Sequence, residues 1–141
     1  MIVVDASVAA KWLLTEPGEH EAQRLLDGDE RLVAPESIRV EVIGAVLRQF
    51  RIGKVSEQRA RVQLAFWENL IDARLRLLAI MDLLQEAVNM ALMLKHPLPD
   101  CFYIAAGKQL GVTVLTADRK MFERGKSLHE GVTLLEGVGP H

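Results

Sequence analysis

The chain carries a single cysteine, Cys101, so no disulfide can form within it, and a reducing compartment fits this usage. It has no apolar run long enough to span a bilayer. Its start, MIVVDAS, lacks a basic segment and a cleavage-like site, so no secretory signal and a cytoplasmic location are expected. No cluster of Cys and His exists to hold zinc. His20, His96, His129 and His141 are scattered and read as surface residues rather than ligands. A Gly-rich phosphate loop is missing, and so is the GxSxG elbow of a serine hydrolase. Cys101 has no adjacent histidine and reads as packing rather than as a nucleophile. Positive charge is not in excess either: the net charge is −2 and the pI about 6.1, which does not advertise a nucleic-acid binder. Total charge is a poor guide, though, if several acids hold a metal.

What is present is an ordinary globular composition: 141 residues, 50% hydrophobic and 26% charged, the size of one domain with a real core. The whole chain, 1–141, is read as that one domain. The stretch Pro99–Asp118, PDCFYIAAGKQLGVTVLTAD, organises the rest. Proline and acid open a helical segment, Cys101 to Leu110, and Gly111 stops it. Val112 to Leu115 is a β-branched run of the buried-strand kind, and Asp118 sits just past it. In an open α/β sheet, helix starts and the carboxyl ends of strands face the crevice where ligands bind. Two carboxylates there repel unless a cation lies between them.

The same pattern recurs along the chain. Ile2-Val3-Val4 is a strand that ends in Asp5, followed by Ala6-Ser7 and a helical run, Val8 to Leu14. Asp5, or equally Ser7, also suits a helix N-cap. A helix over Glu19–Leu26 and a strand at Leu32–Ala34 follow. The next helix starts near Pro35 and Ser37 and runs to about Ile52. Within it Glu41 shares a stripe with Ile38, Gly44 and Ala45, an inward position that is expensive for an unpaired carboxylate. Either an arginine pairs with it or it faces a cleft and binds a cation; the second fits the other acids. Ser56 caps a helix from Glu57 to about Ile71, completing a helical hairpin in which Trp67 is core. Leu75–Ile80 reads as a strand. Asp82, with Gln85 three residues on, reads as the cap of a helix to about Lys95. A short helix at Arg119–Lys126, a strand at Val132–Leu135 and a frayed tail over 137–141 finish the chain. The order predicts an α/β fold: a mostly parallel sheet covered on both faces, with an inserted helical hairpin.

Asp5, Glu41, Asp100 and Asp118 thus share a kind of position, and only the fold can bring them together. They are expected to converge on one point. Oxygen ligands of high charge density suit Mg²⁺ or Mn²⁺.

Together these pieces resemble a known family. IVVDASV at 2–8, PESIRVEVIGAVL at 35–47, PLPDCFYIAAGKQLG at 97–111 and VTVLTADRKMF at 112–122 resemble, in order and spacing, a PIN-domain ribonuclease of the VapC toxin type. The resemblance implies a three-layer α/β/α fold and a metal-dependent endoribonuclease. It implies Asp5, Glu41, Asp100 and Asp118 as catalytic metal ligands for Mg²⁺ or Mn²⁺, with Ser7 and Thr116 helping to position them. It also implies an RNA substrate, a cognate antitoxin partner and a homodimer. Gly44 stands where asparagine is common and Cys101 where alanine is common; neither change removes an acid. Setting the four acids aside leaves 17 basic residues against 15 acids, a weakly basic rim for RNA with Lys11, Arg39, Arg48, Lys108, Arg119 and Lys120 as candidates. Two other readings compete. One is a non-catalytic PIN-like module that binds RNA or a partner, against which four intact acids speak. The other is a phosphoacceptor or phosphatase of the doubly wound class. Asp5-Ala6-Ser7 lacks the second acid, two residues on, that such a pair would show.

Overall fold

The computed structural model describes residues 1–137, so the tail reading beyond Gly137 lies outside the described residues. Five short strands form the centre: β1 (Ile2–Val4), β2 (Leu32–Pro35), β3 (Leu75–Leu78), β4 (Thr113–Thr116) and β5 (Val132–Leu134). They lie in the order β3-β2-β1-β4-β5, and every pairing among the described residues is parallel. Val3, Val4, Val33, Ala34 and Val114 are buried, as strands covered on both faces should be. From β1 the chain builds outward through β2 and β3, then crosses back to add β4 and β5. The order therefore switches between β1 and β4, and the crevice at the carboxyl ends of those two strands is the natural ligand position.

The helices are α1 (Ala6–Ala9), continued by a 3-10 turn at Ala10–Trp12, α2 (Glu19–Asp27), α3 (Ile38–Arg51), α4 (Glu57–Arg74), α5 (Ile80–Leu94), α6 (Leu98–Leu110) and α7 (Arg119–Gly125). α3 and α4 pack on one another as the expected hairpin. Ser56 caps α4 by accepting a hydrogen bond from the Arg59 N–H at 3.1 Å. Trp67 is fully buried and donates from its indole to the Arg39 carbonyl, so it is core. α6 is the central helix. It packs on β1, β2 and β4, and every residue from Cys101 to Gly107 is buried. Gly107 marks the closest approach, where a Cβ would run into the Val114 side chain on β4. Gly111 ends α6 at φ 67°, the left-handed conformation that glycine takes without cost.

Three local readings are corrected. Pro35 does not open α3; it is the last residue of β2, paired with Leu78 of β3. Asp82 is not a cap. α5 begins two residues earlier, at Ile80, and the Ile80 N–H is met by the Glu36 carboxylate at 3.1 Å. A side chain from the β2–α3 turn does what the local spacing assigned to Asp82, which lies exposed in the first helical turn. α6 begins at Leu98, since Pro99 in the first turn forfeits only an N–H that has no helical partner. Asp100 is therefore inside the helix rather than at its cap.

Candidate metal centre

β1 delivers Asp5 to the carboxyl edge of the sheet, next to β4, where its N–H donates to the Leu115 carbonyl at 3.0 Å. The Asp5 side chain is 3% exposed. It accepts from the Ser7 N–H and caps α1, as the capping reading expected. Its Oδ2 also accepts from the Ser7 hydroxyl and from the Thr116 hydroxyl, the latter at 2.9 Å. Ser7 does not cap the helix. Its Oγ faces β4 and accepts from the Ala117 N–H at 2.9 Å, while the Thr116 Oγ accepts from the Asp118 N–H at 3.0 Å. One hydroxyl pair thus ties the ends of β1 and β4 to the same acid.

Glu41 is half-buried on α3, and no arginine pairs with it among the described residues. Instead the Tyr103 hydroxyl of α6 donates to its Oε1 at 3.1 Å. The stripe read from the sequence faces a cavity, because Glu41, Gly44 and Ala45 line an open hollow of about 500 Å³ together with Ser7, Lys11, Arg48 and Asp118. Asp100, in the first turn of α6, pairs through Oδ2 with the ring of His96 at 2.6 Å. Asp118 caps α7, its Oδ1 accepting from the Lys120 and Met121 N–H groups at 2.9 and 3.2 Å.

The electrostatics follow from this crowding. Burial pushes the Asp5 carboxyl up to about 6; donors from Ser7 and Thr116 oppose the shift and the charge of Asp100 adds to it. Burial lifts Glu41 to about 7, against the Tyr103 donor and with help from the Asp5 charge. Asp100 is also raised, first by burial, with the His96 hydrogen bond pulling down and the Asp118 charge pushing up. The four acids therefore feel one another across the crevice. They do not stand as a closed ligand shell: no three Asp, Glu, His or Cys side chains among the described residues form a ready metal-holding group. Each of the four carboxylates accepts a hydrogen bond from its own surroundings.

That arrangement suits a hard cation. Each acid commits one oxygen: Oδ2 of Asp5, Oε1 of Glu41, Oδ2 of Asp100 and Oδ1 of Asp118. No hydrogen bond among the described residues reaches the other oxygen of any of the four. Carboxylate oxygens are the kind of donor that hard divalent cations take.

Of the basic candidates, Lys11 and Arg48 line the hollow. Arg39 is paired with Glu68 of α4, and Lys108 lies in the last turn of α6, at the other end from Asp100. Cys101 is buried, its thiol pushed up to about 11, in keeping with a packing role. Two partners escaped the sequence reading, Tyr103 and His96. His96 is not a surface residue; it is 7% exposed. A buried tyrosine must find a partner for its hydroxyl, and in a helix otherwise apolar from Cys101 to Gly107 that need was the available signal.

Comparison with known proteins agrees with this picture. The PIN domain family model matches residues 2–127. Ribonuclease VapC12 of Mycobacterium tuberculosis, from two strains, is 31% identical over 121 residues, 86% of this chain and 89% of that protein. The crystal structure of PAE2754 from Pyrobaculum aerophilum superposes with a TM-score of 0.62 over 96% of this chain and 89% of that one, at 19% identity. The sheet order, the crevice acids and these matches place the chain in the PIN-domain family. Within that family it belongs with the VapC-type ribonucleases.

Proposed function

We propose that this protein is a Mg²⁺- or Mn²⁺-dependent endoribonuclease, the toxin of a toxin–antitoxin pair. The observation that carries the reading is the set of four carboxylates linked by mutual charge effects, each with an oxygen that no hydrogen bond among the described residues reaches. Asp5, Glu41, Asp100 and Asp118 would hold the cation. A bound divalent ion supplies an ionisable water and neutralises charge on the phosphodiester. It also inverts the sign of an otherwise RNA-repelling crevice. Ser7 and Thr116 hold Asp5 in place, and Lys11 and Arg48 on the wall of the hollow take flanking phosphates. The name of the mycobacterial relative and the matched family support RNA as the substrate.

Metal titration against three substrates tests this. RNA is expected to be cut in Mg²⁺ or Mn²⁺ and spared in EDTA, with DNA and a small phosphate ester left intact. Cleavage of RNA in EDTA would remove the metal from the reading. Turnover of the small ester alone would move the protein to the phosphatase class. No RNA cleavage at any metal concentration would favour the non-catalytic module.

A homodimer and an antitoxin partner belong to the same proposal. Large apolar side chains stay exposed on α5, including Met81, Leu92 and Met93, and on the α3–α4 hairpin, including Val40 and Val62. Met90, three residues before Met93 on α5, is core instead. Light scattering is expected to give twice the 15.7 kDa chain mass, and a monomer at high concentration would defeat the dimer.

A further inference from the structure

His96 is a buried histidine for which the proposed chemistry has no use, yet both of its ring nitrogens are engaged. Nε2 lies 2.6 Å from Asp100 Oδ2, and Nδ1 lies 3.1 Å from Arg124 Nη1 of α7. A guanidinium has only donors, so Nδ1 must accept. The ring proton is then on Nε2, where it is donated to Asp100. Arg124 sets the tautomer, and the tautomer sets the carboxylate.

The backbone is also bent to this end. Lys95, which precedes His96, adopts φ 50° and ψ 46° and is the only non-glycine residue at positive φ among the described residues. That left-handed conformation is unfavourable for a residue that carries a side chain. It ends α5 and turns the chain so that His96 reaches back under the first turn of α6. Two elements therefore meet on the His96 ring just past the end of α5: the first turn of α6 through Asp100 and the last turn of α7 through Arg124.

We propose that the Arg124–His96 pair is a positioning device for Asp100, fixing Oδ2 so that Oδ1 is presented to the cation in one orientation. The inference rests on Asp100 being a metal ligand, as proposed above. Partners that orient a ligand in this way are worth roughly 10- to 100-fold in metal affinity.

The test measures Mn²⁺ affinity calorimetrically on the full chain, with far-UV circular dichroism as the fold check. His96→Leu fills the space without a donor, whereas His96→Gln places an amide N–H near the Nε2 position. The leucine variant is expected to lose about 10- to 100-fold in affinity and the glutamine variant to stay within about threefold of the parent. A folded leucine variant that binds like the parent overturns the proposal, as does a glutamine variant as weak as the leucine one. Should His96→Leu not fold, Arg124→Met on the exposed end of α7 decides: about a threefold loss or more supports the device, and parental affinity overturns it. Asp100→Asn separates the two readings. If it too binds Mn²⁺ like the parent, Asp100 is no ligand and both readings fall. If it loses the metal while His96→Leu keeps it, only the positioning claim falls. Ring ¹⁵N spectra give a readout independent of metal: Nε2 protonated and Nδ1 bare is expected, and a proton on Nδ1 overturns the assignment.

Discussion

Replacing Asp100 by asparagine is expected to lower RNA cleavage about 100- to 1000-fold and to leave the fold in place. The amide oxygen of asparagine can still accept from His96 Nε2, so the hydrogen bond that anchors the first turn of α6 survives. What is lost is a negative charge, which a hard divalent cation needs from its ligands. Stability should not fall. Asp100 is a largely buried carboxylate whose ionised form is disfavoured by burial and by the charge of Asp118, so neutralising it relieves repulsion. A melting temperature equal to or above the parent, together with lost cleavage, is the expected pair of results. Asp82→Asn is the control, since Asp82 lies exposed in the first turn of α5, outside the crevice. A folded Asp100→Asn protein that cuts RNA at the parental rate would sink the assignment. Loss of activity in Asp82→Asn would mean the crevice is not the active site.

The second large effect is on stability against pH. Asp5 and Glu41 titrate near 6 and 7 in the folded chain, above their ordinary values of 3.8 and 4.5. The folded state thus holds protons that the unfolded state has released. The stability this represents is complete below about pH 4 and is lost as pH rises through 6 and 7. In EDTA the protein is therefore expected to be more stable at pH 5 than at pH 7.5, by about 3 kcal/mol after discounting the half-exposed Glu41. Saturating Mn²⁺ at pH 7.5 should restore stability, about 2.7 kcal/mol at a hundredfold excess over its Kd. Thermal melts at the two pH values, with and without metal, measure both halves. A metal-free protein that gains stability from pH 5 to 7.5 would show that the acids do not crowd one another.

Much of this was legible in the sequence because each signal was local. β1 and β4 announce themselves as short apolar runs ending in Asp5 and, two residues past Thr116, Asp118. Gly111 marks the end of α6, and Glu41 betrays itself by sitting among Ile38, Gly44 and Ala45. The misreadings share a cause, which is that the deciding partner is distant in sequence. Asp82 has the spacing of a cap, but α5 starts earlier, at Ile80, whose N–H is met by the Glu36 carboxylate from another turn. Pro35 looks like a helix opener until β3 pairs with it. His96 is four residues from Asp100, yet its other ring partner, Arg124, lies on α7, which no window around His96 contains. Tyr103 reads as one more apolar member of α6 until Glu41 meets its hydroxyl across the crevice.

The pairing of β1 with β4 also fixes when the crevice comes into being. Val3 is in register with Val114, and Asp5 is held by the carbonyl of Leu115 and the hydroxyl of Thr116. During synthesis the N-terminal residues wait for nearly the whole chain before their neighbours exist, and such non-local closure is the slow part of folding. A nascent chain that ends short of β4 carries Asp5, Glu41 and Asp100, but Asp5 then has only Ser7 as a donor and lacks the Thr116 hydroxyl. The crevice is thus completed late, because Thr116, Ala117 and Asp118 reach it only once β4 has been made and has paired with β1.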